Sequence, residues 1–305
     1  MTTYLIRRIL AFIPLVWAIA TITFFLMHAV PGGPFDREKP LPPQVMANLE
    51  RKYNLDKPLV VQYGLFLRGL VTGDLGQSFS QNRPVTTIIR ERLPKSVQLG
   101  ACAFAFALAG GLTLGVTAAV RQNSLIDYLS VVLATIGASV PNFVLAVFLV
   151  LLFSLQLHWF DVLGWEFGNY RKMVLPIVSL GMLPLALIAR VTRASMLEVL
   201  HQDYIRTARA KGLTEFRVVM RHAVRNALIP VLTIAGPILA GLLTGSFIIE
   251  RFFAIGGVGT AFVDAVQLRD YGMIMGTTLL FAIAIAVMNL AVDVSYAVVD
   301  PRIRY

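Results

Sequence analysis

Residues 203–230 read Asp203-Tyr-Ile-Arg-Thr-Ala-Arg-Ala-Lys-Gly-Leu-Thr-Glu-Phe-Arg-Val-Val-Met-Arg-His-Ala-Val-Arg-Asn-Ala-Leu-Ile-Pro230. The stretch is polar and strongly basic, and long apolar runs flank it. It has a small-residue core (Thr207, Ala208, Ala210) followed by Gly212. Across 190–225 the basic residues are Arg190, Arg193, Arg206, Arg209, Lys211, Arg217, Arg221 and Arg225. The acids are Glu198, Asp203 and Glu215, which leaves a balance of +5. Leu197, Leu200, Tyr204 and Ala208 recur at steps of three and four and so share one helical face, with Glu198, Gln202, Arg206 and Arg209 roughly opposite. The spacing predicts a helix over 196–211, stopped or turned at Gly212, and a second helix over 215–226. On the second, Arg217, Arg221 and Arg225 fall at i, i+4 and i+8, where like charges repel slightly unless they face lipid headgroups or an acidic partner. A loop that only obeyed membrane topology would account for the charges but not for an amphipathic helix–Gly–helix.

Outward from this loop the chain is apolar. It is 57% hydrophobic and 14% charged, with mean hydropathy +0.72, where a soluble domain carries about 25% charged residues. A bilayer core takes about 20 apolar residues in helix. Six runs are long enough: 9–30, 97–120, 128–155, 173–189, 227–249 and 272–299. Several are apolar on every face, which excludes an ordinary soluble helical protein. The first run is too long for a signal peptide and is followed by Pro31-Gly32-Gly33, not by a small-x-small cleavage site. Arg7-Arg8 therefore reads as an anchor and not as a twin-arginine address.

Six spans put both termini on one side, with Arg7, Arg8, Arg121, the eight basic residues of 190–225, Arg302 and Arg304. The two short loops opposite hold only Arg171, Lys172, Arg251 and Arg269. The positive-inside tendency then predicts N-in/C-in. The net charge of +10 is mostly this topology, together with attraction to anionic headgroups, and is not a nucleic-acid signal. The single cysteine, Cys102, has no partner for a disulfide or a metal cluster and reads as a small packing residue.

The fold class expected is all-α integral membrane: one membrane domain over 1–305, an outer insertion at 31–96 and a loop at 190–227. Within the insertion, Pro42-Pro43 precedes a helix-compatible stretch, 59–71 fits an interfacial helix, and Gly73-Asp74-Leu75-Gly76 ends it as a turn. Pro14, Pro141, Pro176, Pro184, Pro230 and Pro237 punctuate the spans, where a proline bends the axis and frees a carbonyl. The pairs Gly111/Gly115, Gly241/Gly245 and Gly272/Gly276 allow close helix contact, read first as packing within the chain. Catalytic signatures are missing: no phosphate-cradling Gly-x-x-x-x-Gly-Lys loop and no His-Glu-x-x-His occurs. His28, His158, His201 and His222 are scattered, without metal-ligand spacing. Asp293 is the one charge within an apolar run. It reads as a partner for an arginine near a helix end, since a proton relay would need more buried acids.

Arg206-Thr-Ala-Arg-Ala-Lys-Gly-Leu213 and Arg221-His-Ala-Val-Arg-Asn-Ala-Leu-Ile-Pro-Val231 together resemble the cytoplasmic loop of the peptide-importer branch of ABC permeases. Pro31-Gly32-Gly33-Pro34, Gly73-Asp74-Leu75-Gly76-Gln77-Ser78 and Asp300-Pro301-Arg302-Ile303-Arg304-Tyr305 extend the likeness over the whole chain. Pro42-Pro43-Gln44-Val45-Met46-Ala47-Asn48 and Ser195-Met-Leu-Glu-Val-Leu200 resemble the B-type permeases of oligopeptide importers in that branch. The resemblance implies a type I ABC importer permease fold, a second homologous permease, two ATPase subunits and an extracytoplasmic peptide-binding protein. It also implies that ATP and Mg2+ are bound by the ATPases, with no cofactor, metal or catalytic residue in this chain. Asp203, Tyr204, Arg206, Thr207, Ala208, Arg209, Ala210, Lys211 and Gly212 would then be the ATPase-coupling residues. The general importer motif has Glu-Ala-Ala before the glycine; Arg206-Thr207-Ala208 stands here, so no Glu-based ion pair to the ATPase is implied.

A peptide crossing the membrane needs neutral hydrogen-bonding partners, because an unpaired amide in an apolar setting costs about 2–7 kcal/mol. Ser139 and Asn142 flank Val140-Pro141, and Thr244 and Ser246 flank Gly245, each pair beside a helix-loosening residue. These four residues are the expected lining of a translocation path shared with the partner permease. Short peptides moved by alternating access are the expected cargo. Dipeptides, nickel or glutathione in the same branch are the alternatives, and a proton-coupled carrier is a rival of another class.

Overall fold

The computed structural model describes residues 2–35 and 42–299, with side chains from 6 to 291 of these. The motif at 300–305 and the Asp293 side chain lie outside the described set. Five helical tracts are long and apolar enough to cross a membrane. They are α1 (Thr2–Ala29), α4 (Val85–Val120), α7 (Tyr170–Leu200), the tract Glu215–Phe252, and α13 (Tyr271–Val299). No strand occurs among the described residues; an isolated antiparallel bridge joins Gln77 and Pro84.

The span expected over 128–155, with Pro141 as a bend, is broken at that proline. Helix α5 (Leu125–Ser139) and helix α6 (Asn142–Leu149), the latter continued by π-helical turns over Val150–Gln156, meet at 109°. Counted as one broken span, this pair makes six. The cause is local. A residue before proline is pushed out of the α region, and Val140 sits extended at φ −87°, ψ 124°, with Pro141 opening the next helix.

The chain forms two compact units, 1–94 with 256–286 and 95–255 with 287–305; of the three boundaries, two fall within α4 and α13 and the third, at 255/256, falls between helices. In the first unit α2 (Pro43–Lys52), α3 (Leu59–Thr72) and α12 (Val258–Gln267) accompany α1. Phe24 packs on Tyr63 and Phe66, and Thr21 and Tyr63 share a 2.7 Å hydrogen bond. Asp270 is buried here. It accepts from the Ser78 hydroxyl, from the Phe79 and Ser80 N–H groups at 3.0 and 3.1 Å, from the Ser80 hydroxyl at 2.7 Å and from Met273 N at 3.1 Å. A buried carboxylate with that many donors needs no cation, and the set ties the loop after Gly73 to the start of α13.

In the second unit α5, α6, α10 (Val224–Leu243) and α11 (Phe247–Phe252) pack against α7. Gly111 and Gly115 bring α4 against Ile188, Ala189 and Thr192 of α7, so this pair packs within the chain as expected. Gly272 and Gly276 do the same in the first unit, against Gln77 and Val85. Gly241 has open space where a side chain would stand.

Candidate functional site

The loop begins where α7 ends. His201 and Gln202 break the helix predicted over 196–211, so that reading is corrected to two pieces: α7 to Leu200, then α8 (Asp203–Ala210). The Gln202 carbonyl accepts from Ile205 N at 3.1 Å and Arg206 N at 3.4 Å, and Asp203 puts a carboxylate in the first turn, where the helix dipole favours it. Ile205 and Ala208 are buried, whereas Tyr204, expected to share the face of Ala208, is exposed. The buried pair joins Ala119, Met196, Val218, Val219, Ala223 and Ala227 in one apolar cluster. This cluster seats α8 against the ends of the flanking helices.

The turn after α8 explains Gly212. Leu213 N bonds to Ala208 O at 3.4 Å and Gly212 N to Arg209 O at 2.9 Å. This is the Schellman pattern, which requires a left-handed residue just past the helix; Gly212 supplies φ +75°. Leu213 packs on the same cluster as Ala208, the hydrophobic contact that accompanies the motif. Arg209 then clamps the turn: its Nε and a terminal nitrogen donate to the two Glu215 oxygens at 3.1 and 2.6 Å. Hydrogen bonding to Glu215 holds the Arg209 guanidinium above its usual pKa, so it stays cationic. The Arg206–Asp203 pair, at 3.5 Å and almost fully exposed, contributes little.

Beyond the turn the predicted helix over 215–226 is also corrected. Helix α9 (Glu215–Arg217) passes through π-helical turns at Val218–Ala223 straight into α10. Asn226 Nδ2 donates to the Tyr204 hydroxyl at 2.9 Å and so ties α10 back to α8. The outward surface comprises Asp203, Tyr204, Arg206, Thr207, Arg209, Ala210 and Lys211. Beside them Phe216 stands 77% exposed, an apolar knob in a charged loop. Sequence periodicity does not single out Phe216, because one aromatic in a basic segment breaks no pattern; the signal is its place in the first turn of α9, just past the Gly212 turn.

The four expected path residues sit at two helix breaks. Ser139 closes α5 and Asn142 opens α6; Thr244 follows α10, and Ser246 caps α11 by accepting from Ile249 N at 3.3 Å. The structure brings the following helices together: α11 packs on α6, with Ala146, Val150, Ile249 and Phe253 in one cluster. The hydroxyls of Ser139 and Thr244 donate to their own backbone, to Thr135 O at 2.8 Å and Gly241 O at 2.9 Å. Their donors are thus satisfied locally, and only acceptor capacity remains. Asn142, half-buried, makes no side-chain hydrogen bond among the described residues. Among those residues no three His, Cys, Asp or Glu side chains come together to hold a metal.

At the α5 end of the second unit, Arg193 of α7 forms a bidentate pair with Asp127, at 2.6 and 2.8 Å. Asn123 N adds a bond to the same carboxylate at 3.0 Å. Asp127 lies one residue outside the apolar run and was not singled out by sequence.

Residues 111–305 match the family model described as "Binding-protein-dependent transport system inner membrane component", and 1–100 match the N-terminal model of the same systems. The dipeptide transport system permease protein DppB of Bacillus subtilis is 44% identical over 305 residues, covering 100% of this chain and 98% of the relative. The oligopeptide transport system permease protein OppB of Escherichia coli K12 is 44% identical over 306 residues, covering 100% of both. Among solved structures, a chain of the inward-facing MetNI methionine ABC transporter aligns with TM-score 0.59 at 21% identity, covering 70% of this chain and 97% of that one.

Proposed function

The chain belongs to the family of binding-protein-dependent transport system inner membrane components, and from that membership we propose that it is the permease subunit of an importer that moves short peptides into the cytoplasm. As a family member it is a multi-pass inner-membrane transporter subunit and not an enzyme. The observation that carries the substrate reading is full-length identity of 44% to both a dipeptide and an oligopeptide permease. Equal identity to the two favours peptides as a class and does not favour one length.

The mechanism proposed is alternating access driven from outside the chain. A second homologous permease completes the conduit, two ATPases bind ATP and Mg2+, and an extracytoplasmic binding protein delivers the peptide. The termini and the 190–227 loop face the cytoplasm, in line with the distribution of Lys and Arg, and 31–96 lies outside. Helix α8 docks on an ATPase through Asp203, Arg206, Thr207, Ala210 and Lys211. Because Ile205 and Ala208 are buried in a cluster that includes the ends of α4, α7 and α10, a push on α8 is carried into those helices. Packed interiors transmit displacement because they do not compress. The path would be lined by Ser139, Asn142, Thr244 and Ser246, whose neutral groups suit a peptide backbone of any side chain.

Uptake of labelled dipeptides to pentapeptides by cells with and without this chain tests the reading. Loss of peptide uptake, with nickel and glutathione uptake unchanged, is the expected result. Unchanged peptide uptake with loss of either of the others would overturn it.

A further inference from the structure

Between α4, α5 and α7 lies a cavity of about 220 Å³. Leu114, Ala118, Val131, Ala134 and Ala189 form apolar walls, and Arg190 and Arg193 add two guanidinium groups. We propose that this cavity binds one anionic phospholipid, its phosphate held by Arg190 with help from Arg193 and an acyl chain lying along the apolar walls.

Charge and hydrogen bonding narrow the occupant. No acid lines the cavity. The neighbouring carboxylate, Asp127, is already paired with Arg193. Arg190 is exposed and makes no hydrogen bond or ion pair among the described residues. The lining hydroxyls are occupied by their own helix: Ser130 donates to Ile126 O and Thr135 to Val131 O, at 2.7 and 2.8 Å. A neutral peptide backbone would therefore find walls and cations but no free neutral donor. An anion with an apolar tail matches both parts of the lining.

Depth agrees. Gly115 of α4 faces Ala189 and Thr192, so Arg190 lies about five residues, roughly 7–8 Å, inward of the end of α4 at Val120. A long basic side chain at that level reaches the headgroup layer by extending along the helix. Because the cavity belongs to one end of the spans whichever way they face, the proposal stands apart from the transport reading.

The test uses the full chain purified with the subunits it assembles with, equilibrated with mixed phosphatidylglycerol and phosphatidylcholine. Native mass spectrometry then counts retained lipid. The wild type should hold one phosphatidylglycerol and no phosphatidylcholine, and excess inorganic phosphate should not displace it. Arg190→Gln should cut retention about tenfold, the scale of one charge-assisted contact, whereas Arg190→Lys should largely keep it. Arg121→Gln, an exposed basic residue at the same helix end but outside the cavity, should stay within about twofold of wild type, having no such contact to lose. Four results would overturn the proposal: no lipid held by the wild type, equal retention in Arg190→Gln, an equal loss in Arg121→Gln, or displacement by phosphate. The first would mean that another subunit covers the cavity, and the last that it is a simple anion site.

Discussion

At Gly212 the backbone sits at φ +75°, and a Cβ added there would meet nothing within 4 Å. The constraint is therefore conformational and not steric. An L side chain in the left-handed region costs about 1–2 kcal/mol, whereas asparagine visits it readily. Gly212→Leu should insert normally yet lose the stimulation of ATP hydrolysis by loaded binding protein, and Gly212→Asn should stay near wild type. Full stimulation in both variants would remove the turn from the coupling account. A second residue-scale contrast comes from Asp127, whose side chain is 3% exposed, against 29% for Arg193. Breaking a buried pair costs about 3–5 kcal/mol when the charge left behind is buried. Arg193→Ala, which strands Asp127, should lower the thermal midpoint in detergent more than Asp127→Asn does; the reverse order would contradict the pairing. Sequence reading finds Gly212 because only a few residue types end a helix this way. It passes over Asp127, since a charge one residue outside an apolar run looks like an ordinary helix start.

Among the elements, the apolar runs are readable because each helix must match the bilayer thickness along its length. The break between α5 and α6 is not readable from composition, for both halves are equally apolar. Its signal is narrower: Val140, β-branched, directly before Pro141. Pro141→Ala removes that restriction on Val140 and should lower peptide uptake without lowering the amount of protein in the membrane; undiminished uptake would show that the bend is not needed. In the loop the order helix–Gly212–helix is legible, but the break at His201-Gln202, the π-helical turns after α9 and the buried face are not. Tyr204 and Ile205 are adjacent, and a 3.6-residue period over eight residues does not separate them. Phe216 gives an element-scale test. Exposed as it is, Phe216→Ala should leave thermal stability within about ±0.5 kcal/mol while lowering ATP-driven uptake several-fold. A drop in stability with uptake per folded molecule unchanged would make Phe216 structural.

At the scale of the whole molecule, hydropathy and family resemblance lead to the same membrane subunit, and the matches over 1–100 and 111–305 bear out the resemblance. The division into two compact units, with two of its boundaries inside α4 and α13, was beyond sequence reading. A long apolar helix carries no local mark where its packing partners change. That this chain is a conduit worked by ATP hydrolysis in other chains is decided by reconstituting it in liposomes, alone and with its partner permease, ATPases and binding protein, and measuring accumulation of a labelled peptide. Alone, the chain should hydrolyse no ATP and accumulate no peptide under an imposed proton gradient, while the full assembly should accumulate peptide only with ATP. Gradient-driven accumulation by the lone chain, abolished by Asp293→Asn, would contradict it.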